Sequence, residues 1–476
     1  MEIGLSVGNK DNLAGYREKS AELLRKQPVS IGDTVTIKTS ENEFTGILMP
    51  RYESADKNHI VIKLKSGYNV GIRTDKVRSI AKLTELTRYV SDAPSTRNPT
   101  FVNSFKQVSK ELEINLSISQ NERSEEHPKI ALLGTGGTIA SKVDYRTGGV
   151  SPALSASEIY ASVPELQKYA SIESEVLLNE YSENLKPADW TTIAHKIKEK
   201  VMSGMYQGII VSHGTDTMHY TAAALSFALQ NLPIPVVLVG AQRSSDRPSS
   251  DAALNLIGAT IYAVKSELTG VFVSMHATTS DDAIACHLGT RVRKNHTSRR
   301  DAFETIDGVP VALIRGEILE MQSEQSGLKL SKRTNNTNGL VVRPDFDRRA
   351  VLLKYYPGFN PEFISHLVAA GIRAIVLEGT GLGHVSKDCF SQIRNAVESG
   401  TLIFMTSQCI WGRTRMTVYE TGRDLINIGV IPLSNMMAET ATVKAMWALA
   451  NSKDAKSTTK LMQENIANET SETIPI

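Results

Sequence analysis

The sequence has few cysteines and no surplus of either charge. Its 476 residues include only Cys286, Cys389 and Cys409, an odd number of thiols that form no CxxC pair. Neither a disulfide framework nor a structural zinc site is indicated, and a reducing compartment, the cytoplasm, is expected. Lysine and arginine number 53 and aspartate and glutamate 51, so the formal net charge of +2 predicts no overall preference for nucleic acid or a membrane surface.

The sequence also lacks a hydrophobic run that could cross a membrane. Its longest stretch without a formal charge, residues 217–242, is interrupted by Pro233 and Pro235, which predict a helix, a turn and a strand instead. The N-terminus has neither the basic start nor the apolar segment of a secretory signal. We therefore expect an intracellular protein, with several domains because 476 residues exceed the usual size of one.

Short alternating segments predict a small β-barrel over residues 30–85. Four stretches alternate apolar with polar residues, are rich in β-branched side chains and are separated by turn residues. Closing such strands into a barrel removes exposed strand edges. Two roles stay open for it: docking or spacing, and contact with nucleic acid through basic residues. The stretches are 31–38, 43–49, 59–64 and 69–72, and the basic residues are Lys63, Lys65, Arg73, Lys76 and Arg78.

Composition divides the rest of the chain. Residues 1–29 form an N-terminal segment, and residues 86–127 are rich in Ser, Asn, Pro, Lys and Glu, which is typical of a linker. Beyond residue 128, short apolar runs end in glycine-containing turns and alternate with helical periods. This pattern predicts an α/β fold with mostly parallel sheets, divided into a larger domain over 128–345 and a smaller one over 346–476.

Two threonines beside glycines follow predicted strands of the larger domain. Thr135 lies in Gly-Thr-Gly-Gly-Thr and Thr215 lies in His-Gly-Thr-Asp-Thr. Loops at the carboxyl ends of parallel strands form the ligand crevice of such sheets, so both threonines are expected in one site. A hydroxyl nucleophile needs a general base and N–H donors; Asp216 could orient such a base, and Lys294 is one candidate for it. Each segment taken alone is also typical of a tight turn with a capping hydroxyl.

Together the two segments resemble the signatures of the bacterial-type asparaginase and glutaminase family. The matching segments are Thr135-Gly-Gly-Thr-Ile-Ala140 and His213-Gly-Thr-Asp-Thr-Met218, with Lys294 downstream. The resemblance implies an asparaginase-like two-domain body that hydrolyses the side-chain amide of glutamine or asparagine. It also implies that Thr135 is the nucleophile, and that Thr215, Asp216 and Lys294 form the second half of the catalytic machinery.

The same resemblance implies roles for four more residues. Tyr145 matches the tyrosine of the family's lid, and Ser182 matches a serine that binds the substrate carboxylate. Gly214, within the second signature, is expected at the substrate. Glu183 stands where secreted asparaginases typically have glutamine. An acidic group there could hold the α-ammonium group more strongly and could favour glutamine over asparagine.

The complete chain, with its barrel and linker, resembles the glutaminase subunits of archaeal glutamyl-tRNA(Gln) amidotransferases. This resemblance implies that the chain hydrolyses glutamine and passes ammonia to a partner, the E subunit, which converts Glu-tRNA(Gln) to Gln-tRNA(Gln) with ATP. It also implies a homodimer within a heterotetramer, in which residues 417–421 of one copy could contact the neighbouring site. The matching segments are Gly32-Asp-Thr-Val35, Ser182-Glu-Asn-Leu-Lys-Pro187 and Ser407-Gln-Cys-Ile-Trp-Gly412.

No cofactor is expected on this chain, and ATP and Mg are expected on the partner. The sequence has no GxxxxGK[ST] phosphate loop, and Gly379-Thr-Gly-Leu-Gly383 lacks the spacing of a dinucleotide site. The histidines form no HExxH motif, so no metal site is predicted. Four of them are expected to be hydrogen-bonded near the crevice: His213, His276, His287 and His384.

Three functions are compatible with the sequence. A component of an amidotransferase requires a partner and tRNA, whereas a stand-alone cytoplasmic L-asparaginase with an added barrel would have amidase activity by itself. A non-catalytic amino-acid sensor or tRNA tether would keep the fold alone, and the intact catalytic set argues against it. The sequence leaves open which threonine forms the acyl-enzyme, whether glutamine or asparagine is preferred, and whether the barrel touches tRNA.

Overall fold

The chain folds into two compact units. One comprises Met1–His127, Lys142–Ser151 and Asp246–Ser249, and the other comprises Pro128–Ser141, Pro152–Ser245 and Ser250–Ile476. No helix in the described part of the chain is both long and apolar enough to span a membrane. The computed structural model describes residues 13, 16–40, 42–49, 51, 56–64, 69–83, 127–136, 141–144, 149–152, 163–243, 250–322 and 328–471.

The first unit contains a helix and an antiparallel five-stranded sheet. Its elements are α1 (Glu18–Arg25), β1 (Thr34–Thr39), β2 (Glu43–Leu48), β3 (His59–Leu64), β4 (Asn69–Arg73) and β5 (Val77–Lys82). The strand order is β4-β3-β2-β1-β5, and within the described residues no ladder joins the edge strands β4 and β5. Closure of the sheet into the expected barrel therefore stays a prediction.

Alternation along the strands builds the core of this sheet. Val35 and Ile37 of β1 are fully buried between less buried neighbours, and Leu24 of α1 packs with them. Tyr16 Oη donates to the Met49 carbonyl at 2.6 Å, which connects the segment before α1 to the end of β2. The sequence pattern does not predict β5, because Ile80 is its only buried residue.

Beyond residue 128, strands and helices alternate. As far as residue 265 the elements are β6 (Lys129–Gly134), β7 (Ser141–Asp144), β8 (Gly149–Pro152), β9 (Ser171–Val176), α2 (Pro187–Met202), β10 (Gly208–Ser212), α3 (Met218–Ala228), β11 (Leu229–Gln230), β12 (Val236–Val239) and α4 (Ala252–Lys265). They continue with β13 (Leu268–Thr269), β14 (Val271–His276), β15 (Ile284–Leu288), β16 (Val292–Lys294), β17 (Phe303–Thr305), β18 (Ala312–Arg315), β19 (Ile318–Met321), β20 (Ser331–Lys332) and β21 (Val341–Val342).

An eight-stranded sheet is the centre of the second unit. Its order is β19-β18-β15-β14-β12-β10-β6-β9; the five strands from β14 to β9 are parallel, and β15, β18 and β19 extend the sheet antiparallel. Alternate residues of the parallel strands point to opposite faces. Ile210 and Val237 pack with α4 on one face, and Ile209 and Val236 pack with α2 and α3 on the other.

A smaller parallel sheet with its helices follows in the same unit. The elements are β22 (Ala350–Lys354), α5 (Glu362–Ala369), β23 (Ala374–Gly379), α6 (Phe390–Glu398), β24 (Leu402–Ser407), α7 (Glu420–Ile428), β25 (Ile431–Pro432), α8 (Ala438–Ala450) and α9 (Ala455–Gln463). The strand order is β22-β23-β24-β25. Helix α8 packs between this sheet and α3, where Trp447 stacks on Phe227 with ring centroids 5.9 Å apart. The predicted domain boundary at residues 345 and 346 stays a prediction.

The segment after α9 is packed into the second unit by a buried ion pair. Lys444 of α8 and Glu469 are both inaccessible to solvent and bonded to each other. Lys444 also donates to the carbonyls of Met462 and Glu464, and Glu469 accepts from two backbone N–H groups, so both charges are fully bonded. The composition of the tail alone predicts neither α9 nor this contact.

Candidate active site

Thr135 and Thr215 follow the ends of two neighbouring strands of the large sheet. β6 and β10 are adjacent and parallel, and Gly134 at the end of β6 pairs with Ser212 at the end of β10. Both threonines therefore lie in loops at the same carboxyl edge, as the sequence predicts.

The hydroxyl of Thr135 is bonded to the backbone at the start of the neighbouring loop. Thr135 is 1% exposed, and its Oγ1 donates to the carbonyl of Ser212 at 2.8 Å. The Thr135 N–H donates to the same carbonyl at 3.1 Å. Sequence reasoning missed Ser212, because its contribution is a carbonyl oxygen, which every residue possesses.

Gly136 lets this loop turn closely against the segment after β9. Its φ is +113°, and a Cβ at this position would lie 2.2 Å from the carbonyl oxygen of Glu180. The N–H groups of Leu177 and Leu178 both donate to the Gly134 carbonyl, at 2.8 and 3.0 Å. Only glycine fits such a position, so the conformation of the Thr135 loop depends on residues 177–180.

Thr215, Lys294 and Asp216 form one hydrogen-bonded cluster. Lys294 Nζ donates to Thr215 Oγ1 at 2.8 Å and to Asp216 Oδ1 at 2.6 Å. The Lys294 side chain is 8% exposed, whereas that of Asp216 is 70% exposed. The ammonium group therefore lies next to one reactive hydroxyl, with the carboxylate on its solvent side.

A β-hairpin positions Lys294. It is the last residue of β16, opposite Phe303 of β17, and the buried Val292 and Phe303 place the hairpin against the core. Arg293 Nε donates to Glu439 Oε1 at 2.7 Å, which connects the hairpin to the first turn of α8. A lysine 79 residues after Thr215 thereby reaches its hydroxyl.

The Thr215 loop ends at the N-terminus of α3, with Thr217 as the residue before the helix. Within the described part of the chain, the N–H groups of Thr215 and Asp216 have no hydrogen-bond acceptor. The first N–H groups of a helix also lack intrahelical partners and give this end a partial positive charge. The loop is therefore suited to stabilise a negatively charged oxygen.

Ser182 and Gly214 lie against each other. Ser182 begins a short 3-10 helix, Ser182–Asn184, and is 4% exposed. A Cβ on Gly214 would lie 2.8 Å from the Cβ of Ser182, and Thr217 Oγ1 donates to the Ser182 carbonyl at 2.7 Å. The next residue, Glu183, is exposed. The structure thus brings Ser182 and Gly214 to the Thr215 loop and leaves the Glu183 carboxylate in solvent.

A third loop, after β12, is held by residues that the sequence did not single out. Asp251 Oδ1 accepts from the N–H groups of Gln242 and Arg243, each at 3.0 Å. Asn255 Nδ2 donates to Asp251 Oδ2 and to the Gly240 carbonyl, at 2.9 and 3.0 Å. Both side chains are fully buried, so this polar pair determines the path of the loop.

The four histidines expected near the crevice have different environments. His213 and His276 are bonded at both ring nitrogens, whereas His287 Nε2 and His384 Nε2 have no partner among the described residues. Burial lowers the pKa of His213 and of His287 to about 4. Burial also holds the pKa of His276 below its usual value. No group of three or more possible metal ligands occurs within the described ranges.

Tyr145 lies outside the described residues, so its role as a lid residue stays a prediction. The described residues supply two hydroxyls at one sheet edge, an ammonium group on one of them, and nearby unpaired N–H groups. Such a set can attack a carbonyl carbon, stabilise the resulting oxyanion and transfer protons. The arrangement is that expected for acyl transfer from an amide.

Three family models match the chain in succession. The model "GatD N-terminal domain" matches residues 29–83, "Asparaginase, N-terminal" matches 129–326, and "Glutaminase/Asparaginase C-terminal domain" matches 349–462. All the residues of the candidate site fall within these matches to the asparaginase body.

Two L-asparaginases of known structure share the fold of the body. The thermostable enzyme from Thermococcus kodakarensis has a TM-score of 0.63 and 33% identity, and covers 72% of this chain and 100% of its own. L-asparaginase I from Vibrio cholerae has a TM-score of 0.63 and 26% identity, with 72% and 99% covered. These similarities confirm the asparaginase-like α/β fold and leave part of the chain unmatched.

Proteins named as the D subunit of glutamyl-tRNA(Gln) amidotransferase match the chain more completely. The protein from Pyrococcus furiosus is 43% identical over 452 residues, which are 94% of this chain and 96% of the relative. The protein from Thermofilum pendens is 41% identical over 462 residues, 96% of this chain and 97% of the relative. Since these relatives match both the N-terminal sheet and the body, the chain belongs to the D-subunit family of glutamyl-tRNA(Gln) amidotransferases.

Proposed function

We propose that the chain is the glutaminase component of a tRNA-dependent amidotransferase. It hydrolyses glutamine and supplies ammonia to the E subunit, which converts Glu-tRNA(Gln) to Gln-tRNA(Gln) with ATP. The observation that supports this most directly is the Thr215–Lys294–Asp216 cluster beside the Thr135 loop, in a chain that also has the N-terminal domain of the D-subunit family. The alternative of a stand-alone L-asparaginase leaves that N-terminal domain without a role.

In the first step Thr135 Oγ1 attacks the side-chain amide carbon of glutamine. The hydroxyl must exchange its bond to the Ser212 carbonyl for one to a proton acceptor as it attacks. Thr215 takes this proton and gives its own to the leaving nitrogen, which departs as ammonia and leaves a γ-glutamyl ester. We assign the ester to Thr135 on the family resemblance, because both hydroxyls are chemically able to form it.

Thr215 is the proton-transfer group in this scheme. Its oxygen accepts a hydrogen bond from Lys294, so its own proton is directed elsewhere and is available to the leaving nitrogen. Thr215 regains a proton from Thr135, and the ammonium group of Lys294 stabilises the negative charge that builds up on the Thr215 oxygen during this exchange. Asp216 balances the charge of Lys294, and the N–H groups of Thr215 and Asp216 stabilise the oxyanion.

In the second step water attacks the ester and restores the Thr135 hydroxyl. The net reaction converts glutamine and water to glutamate and ammonia. Ser182 binds the α-carboxylate, and Gly214 allows the substrate to approach the loop. Glu183 holds the α-ammonium group, since its carboxylate is exposed and Glu183 follows Ser182 directly in the chain. On the family resemblance, we also assign the role of lid residue to Tyr145.

The partners follow from the same proposal. The chain functions in the cytoplasm with the E subunit, as a homodimer within a heterotetramer that binds Glu-tRNA(Gln). ATP and Mg bind to the partner subunit. The proposed organisation is an N-terminal segment over 1–29, a small β-barrel over 30–85, a linker over 86–127, a larger α/β domain over 128–345 and a smaller one over 346–476. The ammonia travels from the Thr215 loop to the partner.

The test measures where the amide nitrogen of glutamine goes. The purified chain is combined with the E subunit, Glu-tRNA(Gln), ATP and Mg, and given glutamine labelled with ¹⁵N in its amide group. We expect the label in Gln-tRNA(Gln), and little label transfer when the E subunit is omitted. Free asparagine labelled in the same way is the comparison substrate. Rapid hydrolysis of asparagine by the isolated chain, with no transfer to tRNA from either substrate, would favour the stand-alone asparaginase instead.

A further inference from the structure

A buried set of hydrogen bonds ends at the loop that holds Thr215. Trp190 Nε1 of α2 lies 3.0 Å from Thr221 Oγ1 of α3, and Thr221 Oγ1 lies 2.9 Å from His213 Nε2. His213 Nδ1 lies 2.7 Å from the carbonyl oxygen of Gly214. Trp190 is 8% exposed and the other two side chains are inaccessible to solvent. We call Trp190, Thr221 and His213 the relay.

The chemistry of the two ends and the burial of the ring together determine the direction of every bond in the relay. An indole N–H can only donate and a carbonyl oxygen can only accept, so Thr221 Oγ1 accepts from Trp190, and His213 Nδ1 carries a proton that it donates to Gly214. Full burial of the imidazole favours its neutral form. Nε2 then carries no proton and accepts that of Thr221. Burial lowers the pKa of His213 to about 4, in agreement with a neutral ring at neutral pH.

The last bond of the relay orients the peptide between Gly214 and Thr215. In a planar trans peptide the C=O and the following N–H point in opposite directions. Holding the Gly214 carbonyl towards His213 therefore directs the Thr215 N–H away from the buried histidine. That N–H has no acceptor among the described residues, and it is one of the two donors assigned to the oxyanion.

Gly214 is where such an external support is needed. A side chain there would collide with Ser182, so the position requires glycine, the residue with the greatest backbone freedom. A glycine cannot limit its own dihedral angles, and the neighbouring Thr215 must nevertheless keep its hydroxyl 2.8 Å from Lys294. The hydrogen bond from His213 limits the rotation of this peptide.

We propose that the relay is a positioning device for the catalytic loop. Trp190 and Thr221 hold the neutral His213, and His213 holds the Gly214 carbonyl so that the N–H and hydroxyl of Thr215 keep the orientation that the transition state requires. None of the three side chains touches the reacting atoms. The inference rests on the proposed glutaminase function and adds three positioning residues to it.

The test compares two substitutions of Thr221 in the complete amidotransferase complex. Thr221→Val keeps the shape but removes the hydroxyl, whereas Thr221→Ser keeps the hydroxyl. A misaligned donor weakens binding of the transition state more than binding of glutamine. We therefore expect Thr221→Val to lower kcat about tenfold to a hundredfold while KM changes by less than about threefold. Thr221→Ser should stay within about threefold of the wild type.

Two measurements separate positioning from general loss of stability. Ser226→Ala removes another buried hydroxyl of α3, one that donates to the Ala222 carbonyl at 2.7 Å and has no link to the loop, and it should leave kcat unchanged. In ¹⁵N-histidine-labelled wild-type protein the NMR shifts of His213 should report a proton on Nδ1 at pH 7.

Three results would overturn the proposal: a normal kcat for Thr221→Val, an equal fall for Ser226→Ala, or a His213 proton on Nε2. A wild-type complex without glutaminase turnover would instead refute the proposed function.

Discussion

The loops of Thr135 and Thr215 begin at paired residues of neighbouring strands, yet their side chains have different partners. The Thr135 hydroxyl is bonded to a backbone carbonyl, that of Ser212, which accepts but cannot titrate. The Thr215 hydroxyl is bonded to Lys294, whose ammonium group is also bonded to Asp216. Two nearly identical Gly-Thr motifs therefore have different chemistry.

The supports of the two loops differ as well. The Thr135 loop is held by the backbone of residues 177–180 and by the shape of Gly136. The Thr215 loop is held by side chains from α2, α3 and β16 and by the buried neutral His213 at its own start. Among the described residues, the Thr135 loop is therefore held by backbone contacts, whereas titratable side chains surround the Thr215 loop.

Removing either hydroxyl should cause the greatest loss of activity. Thr135→Ala and Thr215→Ala should each lower glutamine-dependent amidation in the complex by roughly three powers of ten. The first substitution removes the nucleophile, and the second removes the proton-transfer group. Amidation from free ammonium should persist, since it bypasses both. Mass spectrometry of rapidly quenched wild-type enzyme should find the γ-glutamyl group on the peptide with Thr135. Its presence on the Thr215 peptide would exchange the two roles.

A more moderate loss is expected from Gly136→Ala, which disturbs only the Thr135 loop. The added methyl group would meet the Glu180 carbonyl at 2.2 Å in a backbone with φ of +113°, so the loop must shift. We expect the free energy of unfolding to fall by about 2 kcal/mol or more, together with a lower kcat. Gly204→Ala is the control, because Gly204 has φ of +66° and no atom within 4 Å of the added carbon. Equal losses for both variants would show that backbone strain alone is responsible.

The mildest change is a dependence of stability on pH that comes from buried histidines such as His213. Burial holds the pKa of His213, His219 and His287 at about 4, below the usual 6.5. Between these values the unfolded chain binds protons that the folded chain excludes, so stability is complete above about pH 6.5 and falls towards pH 4. The urea midpoint should therefore decrease from pH 7 to pH 5, and less steeply for His287→Gln. A midpoint that is independent of pH would contradict the neutral state of these rings.

Much of the fold was accessible from periodicity. The parallel strands β6, β10 and β12 lie close to where the apolar runs and glycine-containing turns predict them. Helix α3 ends at Ala228 because Leu229 and Gln230 pair with β21. That pairing joins residues more than a hundred positions apart, which local patterns do not reveal.

The candidate site was predictable where a motif contains the residue and unpredictable where only packing supplies it. Local sequence was sufficient to predict the α/β order of the elements and the two Gly-Thr turns at strand ends, because both follow from periodicity and backbone chemistry. The glycines that the two loops require, Gly136 and Gly214, are part of the same motifs. Packing of the folded chain was needed to show that Lys294 meets Thr215 rather than Thr135, and that Ser212 binds the other hydroxyl. These choices depend on which distant elements share a buried layer. A side chain bonds to whichever group lies next to it in the folded protein, and the number of residues between two groups does not predict whether they meet.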